Sequence, residues 1–206
     1  MAIREEDLYA GRIYSHEDYM TLDFGKDIRY ELVDGELYLM AAPSIKHQEI
    51  NGNLHGAIWN FLRGKKCKVF AAPFAVKLKQ KRGRDTTLQP DLSVVCDLTK
   101  INDDKACVGA PELVIEILSP STAKMDKFAK LEKYLHGGAQ EYWIVDPADR
   151  TIQIFILKGE EYVMKGYLDD AVVTSAVLPG LEIPLSEIFP PEEVQEEAAG
   201  DEAEEV

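Results

Sequence analysis

A carboxylate stands in the middle of the most strand-like run of this chain, and few folds tolerate that. Residues 113–119 read LVIEILS. Their β-branched and leucine side chains mark a buried strand. Strand alternation sends Val114, Glu116 and Leu118 to one face and Leu113, Ile115, Ile117 and Ser119 to the other. An ionised carboxylate in such a place is costly without a partner. Either this strand is less buried than its composition implies, or Glu116 is paired.

The surrounding pattern limits the architecture. RYELVDGELYLMAA sets two β-rich runs around Asp34-Gly35, a hairpin turn pair. SIKHQEINGNLHGAIWNFLR spaces Ile50, Leu54, Ile58, Phe61 and Leu62 at helical intervals, with Ser44 as cap and Gly64 as stop. KVFAAPFAVKLK and LQPDLSVVCDL each read as a strand. STAKMDKFAKLEKYLHGG reads as a helix capped by Ser121 or Thr122 and closed at Gly137-Gly138, with Met125, Phe128, Leu131 and Leu135 as its apolar face. EYWIVDP, TIQIFIL and EYVMKGYL read as strands, and LEIPLSEIF as a short strand with a helical turn. SHEDYMTL near the start carries Ser15 as N-cap with Asp18 three residues on. Many strands with two substantial helices predict an α+β domain on one mixed sheet. We expect an N-terminal arm over 1–27, the domain over 28–190 and an acidic, disordered tail over 191–206.

The net charge of −14 at first argues against a polyanionic partner. It is unevenly placed. The stretch PPEEVQEEAAGDEAEEV holds eight acidic residues and no basic one; without it, 29 acids face 23 bases. Basic residues gather instead in KLKQKRGR, as Lys77, Lys79, Lys81, Arg82 and Arg84 at a predicted hairpin tip, and in Lys65, Lys66 and Lys68 after the first helix. These groups suit contact with phosphates, or serve as solvated, aggregation-blocking loops. The three cysteines, Cys67, Cys96 and Cys107, have no metal-like spacing and predict reduced thiols. The first residues are charged and lack an apolar signal core, and no apolar run approaches the roughly 18 residues of a membrane span. We therefore expect a cytoplasmic protein without membrane segments.

Asp91, directly after Pro90, opens another apolar strand. Two acids on neighbouring strands suit a shared Mg²⁺, which takes one or two carboxylates and fills its shell with water and substrate oxygens. Taken singly, each acid is more ordinary: a strand-end aspartate, or a glutamate paired with a base.

Pro-Asp, then a strand glutamate some 25 residues on, then a basic residue, resembles the PD-(D/E)xK nuclease superfamily and its restriction-endonuclease-like fold. From Tyr30 to Phe189 the chain is similar to one bacterial branch, the Uma-two family. The pieces that carry the likeness are YELVDGELYLM, SIKHQEINGNL, QPDLSVV, LVIEILSPST, DKFAKLEKY, GAQEYWIVDP and PGLEIPLSEIF, in that order. The resemblance implies a metal-dependent endonuclease acting on nucleic acid, DNA above all, with Mg²⁺ or Mn²⁺ on Asp91 and Glu116, and a homodimer. It also implies an acid from an N-terminal element, at Glu31, and a catalytic lysine.

That lysine is the difficulty. The general motif is E-x-K because residues i and i+2 share a strand face. Here the i+2 residue is Leu118. Either the lysine comes from elsewhere, or the protein is an inactive relative that acts as a nucleic-acid-binding or interaction module. Lys127, Lys130 and Tyr134 lie along one flank of the following helix. The family likeness points to Lys130, with Lys127 next. The bland alternative is an Asp126–Lys130 surface pair, worth about 0.3–0.5 kcal/mol. His47 is a candidate for substrate contact, with a polar residue in a helix's first turn as the more ordinary reading.

Overall fold

The computed structural model describes residues 12–23, 28–78, 84–102, 106–120 and 125–191. The acidic tail, the proposed cap of the second long helix and Lys79, Lys81 and Arg82 lie outside them. Near the start, Ser15 and Asp18 form the expected reciprocal cap of α1 (His16–Thr21). Tyr14 and Tyr19 pack against Tyr30 and Leu32. The hairpin forms between β1 (Tyr30–Val33) and β2 (Glu36–Leu39). Its turn residues Asp34 and Gly35 take φ of 50° and 80°, the left-handed pair that matches strand twist. Then α2 (Ile45–Leu62) starts at Ser44, whose hydroxyl accepts from the His47 N–H at 3.2 Å. It buries Ile50, Leu54, Ile58 and Leu62, the stripe expected of it.

The strands that follow do not make one sheet. They are β3 (Lys68–Ala71), β4 (Ala75–Leu78), β5 (Thr86–Leu88), β6 (Leu92–Val95), β7 (Ile101–Asn102), β8 (Ala106–Val108), β9 (Leu113–Ile117), β10 (Glu141–Asp146), β11 (Thr151–Lys158) and β12 (Glu161–Tyr167). One mixed sheet has the order β2-β1-β5-β4-β8-β7, a second the order β12-β11-β10-β9-β6-β3. A two-stranded ribbon, β13 (Val172–Thr174) with β14 (Glu182–Pro184), and α4 (Leu185–Ile188) complete the described residues. The fold class is the mixed α+β one expected, but with two large sheets. The physical reason is local. KVFAAPFAVKLK and LQPDLSVVCDL, each expected as one strand, both break at a proline, which donates no ladder bond. The breaks face each other, since the Ala72 N–H bonds to the Asp91 carbonyl at 3.2 Å. The paired strands thus turn a corner together, from the β3–β6 ladder into the β4–β5 ladder.

The second sheet is covered on both faces. Leu113, Ile115 and Ile117 of β9 pack with α2 and the C-terminal segment. Val114 and Leu118 pack with Tyr134, Tyr142 and strands of the first sheet. The expectation of three reduced thiols is corrected here: Cys67 and Cys96 are joined in a disulfide. The β3–β6 register pairs Lys68 with Val95, so one further step sets these two cysteines opposite each other, which a sequence separation of 29 conceals. Cys107 is free and buried, and burial pushes its thiol up to about 11.

The second long helix also departs from its pattern. It begins as a π-helix at Met125–Lys130 and continues as α3 (Leu131–Gly137), closing at Gly138 with φ of 84°. Phe128, expected on the apolar face, is 70% exposed, whereas Lys130 and Tyr134 are 3% and 0% exposed. A wider π turn rotates residues away from the 3.6-residue register. It brings a lysine and a tyrosine inward where leucine and phenylalanine were expected.

One buried acid of β10 is purely structural. Glu141 accepts from Trp143 Nε1 at 2.6 Å, from Ser175 Oγ at 2.9 Å, and from the N–H groups of Ala176 at 2.8 Å and Val177 at 2.9 Å. Glu141→Ala would strand these buried donors. We expect it to lower unfolding stability by about 3 kcal/mol, read from the urea midpoint at unchanged slope.

Candidate active site

The question raised by Glu116 has a geometric answer. The strand is as buried as its composition implies, and Glu116, 3% exposed, is paired. The Lys130 ammonium lies 3.2 Å from Glu116 Oε1 and 2.9 Å from Glu31 Oε2. The Tyr134 hydroxyl donates to Glu116 Oε1 at 3.2 Å. Glu31, on β1, accepts the Gln89 N–H through its other oxygen at 2.8 Å. One cation therefore joins carboxylates of two sheets, at the level where the helix crosses them. Leu118, at the place of the strand lysine, is 7% exposed and part of the core. Lys130 arrives from the helix one turn before Tyr134, and its burial separates it from any surface ion pair.

Lys127 goes elsewhere. Its ammonium bonds Asp146 at 3.2 Å and is partly exposed. Asp91 sits at the proline corner, just before β6. Its Oδ2 accepts the Ile117 N–H at 2.7 Å and lies 3.2 Å from His47 Nε2. The antiparallel register pairs Leu92 with Ile115. One step further sets Asp91 opposite Glu116, and opposite residues in such a ladder share a face. The two acids thus occupy neighbouring strands on one side of the sheet.

A cavity of about 800 Å³ opens over these groups. Glu31, Asp91, Glu116 and Lys130 line it, together with His47, Arg29, Lys46 and the apolar end of the first hairpin. Lys77, on β4, and Arg84 are not among its lining residues. The sequence pattern did not mark Arg29 or Lys46, and it marked Tyr134 and His47 only weakly. Tyr134 was visible only as a flank position; its hydroxyl is spaced from Lys130 as i+4. Arg29 shares strand parity with Glu31, two residues on. His47 owes its place to the cap that starts α2.

The chemistry of the donors suits a hard cation. Asp91 and Glu116 offer carboxylate oxygens, and Asp91 Oδ1 accepts no hydrogen bond from the described residues. Among the described residues no cluster of three or more His, Cys, Asp or Glu side chains is spaced to hold a metal. Two carboxylates are what a Mg²⁺ ion commonly takes from a protein, with water and substrate oxygens in its remaining positions.

A family model described as "Uma2: Putative restriction endonuclease" matches residues 16–186. The chain belongs to the Uma2 family. This Uma2 protein is 28% identical over 142 residues to the uncharacterized protein slr1290 of Synechocystis, covering 68% of this chain and 73% of that one. It is 23% identical over 137 residues to the uncharacterized protein sll1609 of the same organism, covering 66% and 76%. Its fold matches the crystal structure of a putative nuclease of the DUF820 group from Anabaena variabilis, with a TM-score of 0.69 and 19% identity over 84% of this chain and 96% of that one. The Uma2 likeness read from the sequence is thereby established, and with it a nuclease-like α+β fold.

Tyr134 gives this site a measurable signature. Burial first, then the Glu116 and Glu31 carboxylates, hold its phenol well above the ordinary value of 10.0. Its folded-state value lies above its unfolded one. Its contribution to stability is therefore complete below about pH 10 and declines as pH rises further. Tyr134→Phe is expected to flatten that alkaline decline, measured as urea midpoints between about pH 9 and 11.

Proposed function

We propose that this Uma2 protein is a metal-dependent nuclease that hydrolyses phosphodiester bonds in DNA. The observation that carries the reading is the Lys130 ammonium 3.2 Å from Glu116, beside the strand position that Leu118 leaves without a lysine. A catalytically inactive binding module would have no need to bury a lysine between two carboxylates, since an apolar replacement of such a group is often neutral or stabilising.

The roles follow from the contacts. Asp91 and Glu116 would hold Mg²⁺ or Mn²⁺. When bound, such an ion polarises a phosphoryl oxygen and lowers the pKa of an attacking water. The Ile117 N–H and His47 fix the Asp91 carboxylate through Oδ2. Tyr134 orients Glu116 by a hydrogen bond from its phenol. Glu31 holds Lys130 in place from the opposite sheet. Lys130 supplies positive charge beside the reacting phosphate and donates to the water or the phosphoryl oxygens as negative charge grows there. The basic residues between Lys77 and Arg84 would contact the phosphate backbone in a salt-dependent manner.

Cleavage of plasmid and oligonucleotide DNA with Mg²⁺ or Mn²⁺ tests the proposal. Asp91→Ala, Glu116→Ala and Lys130→Ala are each expected to lose about 100-fold or more in rate, with Lys127→Ala within about threefold of wild type. Circular dichroism checks that each variant is folded. Equal cleavage by wild type and Glu116→Ala would sink the nuclease reading and leave the binding-module one. The Uma2 likeness also supports a homodimer. Sedimentation equilibrium is then expected to return twice the 23.1 kDa chain mass; a single-chain mass at micromolar concentration would refute it.

A further inference from the structure

We propose that the hairpin wall beside the carboxylates is a stacking platform for an unpaired DNA strand, with a base on Tyr38 and flanking phosphates on Arg29 and Lys46. This rests on the nuclease reading above and narrows its substrate. The register of the first hairpin carries the inference. Glu31 pairs directly with Tyr38, so both point to one face. Arg29 and Met40 continue the same ladder, since the Met40 N–H bonds to the Arg29 carbonyl at 2.8 Å. The face that aims Glu31 at Lys130 therefore presents Arg29, Tyr38 and Met40 along one wall of the cavity. Tyr38 is 39% exposed, and its hydroxyl donates to Glu36 Oε2 at 3.4 Å. Lys46, in the first turn of α2, is exposed on the same cavity.

The chemistry of that wall selects the form of the strand. In a duplex the bases are paired inside, and a protein meets phosphates, sugars and groove edges. The Tyr38 ring and the Met40 side chain offer an apolar surface that a duplex, with its base faces stacked inside, cannot use. An unpaired strand exposes base faces, which stack on aromatic rings irrespective of sequence. Depth argues the same way. Glu116 and Lys130 are each 3% exposed, so a phosphate must descend into the cavity to meet them. A single strand follows it more readily than a stiff duplex. Charge permits the descent. The lining holds four carboxylates, Glu31, Asp91, Glu116 and Asp146, against three permanent cations, Arg29, Lys46 and Lys130. One divalent ion turns that balance positive.

The test reads binding rather than cleavage, with Ca²⁺ replacing Mg²⁺ and fluorescence anisotropy on a labelled mixed-sequence single strand of about 12 nucleotides, set against its matched duplex. The single strand is expected to bind about tenfold tighter. Tyr38→Ala is expected to lose about tenfold on the single strand and to lose nothing on a strand with abasic sites throughout. Arg29→Ala with Lys46→Ala is expected to weaken both probes and to reduce the salt slope by about 1.4. Duplex binding equal to or tighter than single-strand binding overturns the proposal, as does a Tyr38→Ala loss that persists on the abasic strand. The nuclease reading fails separately. Tyr38-dependent single-strand binding with no Glu116-dependent cleavage supports the platform and refutes catalysis, whereas Glu116-dependent cleavage insensitive to Tyr38→Ala refutes the platform and supports catalysis. Tyr38 is exposed on an edge strand, so its removal is compatible with folding, checked by thermal melting.

Discussion

The ammonium of Lys130 ties together by charge parts of the chain that also share an apolar core. It bonds Glu31 on the first hairpin and Glu116 on the central strand of the other sheet, and it rides on the helix that crosses between them. An exposed helix ion pair contributes about 0.3–0.5 kcal/mol. Breaking a buried one costs about 3–5 kcal/mol, because the orphaned charge has no water to turn to. The arrangement thus belongs to a different energetic class from the surface pair that sequence spacing alone suggested. The same desolvation makes it weak as a source of net stability. Three ionised groups were taken out of water to build it, which is the pattern expected where a site is kept for its chemistry.

The helix geometry is a consequence of this demand. A regular α-helix from Met125 onward would turn its apolar stripe inward and Lys130 aside. The π turn over Met125–Lys130 instead brings Lys130 and Tyr134 to the carboxylates and leaves Phe128 in solvent. The apolar contact that the pattern promised for Phe128 is thereby given up, while Leu131 still packs against the core. Tyr134 also packs against the Tyr142 ring, at 5.0 Å between centroids, so the hydroxyl reaches Glu116 from a ring held by a second aromatic. A lysine carried on a helix can replace a lysine carried two residues along a strand because only the position of its ammonium matters to the acids, not the element that delivers it.

Much of this was legible because the signals were local. The Asp34-Gly35 turn, the Ser44 cap, the alternation of LVIEILS and the Gly138 stop each depend on residues a few positions apart. The family likeness added Lys130, which no local rule would have singled out from Lys127. The rest depended on pairing across long sequence distances. The split into two sheets, the Cys67–Cys96 bridge and the approach of His47 to Asp91 follow from which strand lies next to which. The helix face was misread for a further reason. Hydrophobic periodicity assumes that the core wants apolar side chains, and near Glu116 the core wants a cation.

The corner at Pro73 and Pro90 shows why the site lies where it does. β6 begins only at Leu92, so the ladder with β9 stops after Ile115. Ile117 stands past the end of that ladder, and its N–H would be a buried donor without a strand carbonyl to meet it. Such a group costs about 1–3 kcal/mol if left unpaired. The Asp91 carboxylate fills the role at 2.7 Å, and in doing so is held beside Glu116 with one oxygen still available. A continuous strand would have satisfied Ile117 with its own backbone and left Asp91 free to swing. Breaking both strands at prolines therefore does two things at once. It bends one pair of strands into two sheets, which lets β1 carry Glu31 across to Lys130. It also converts an interrupted backbone ladder into an anchor for the second acid.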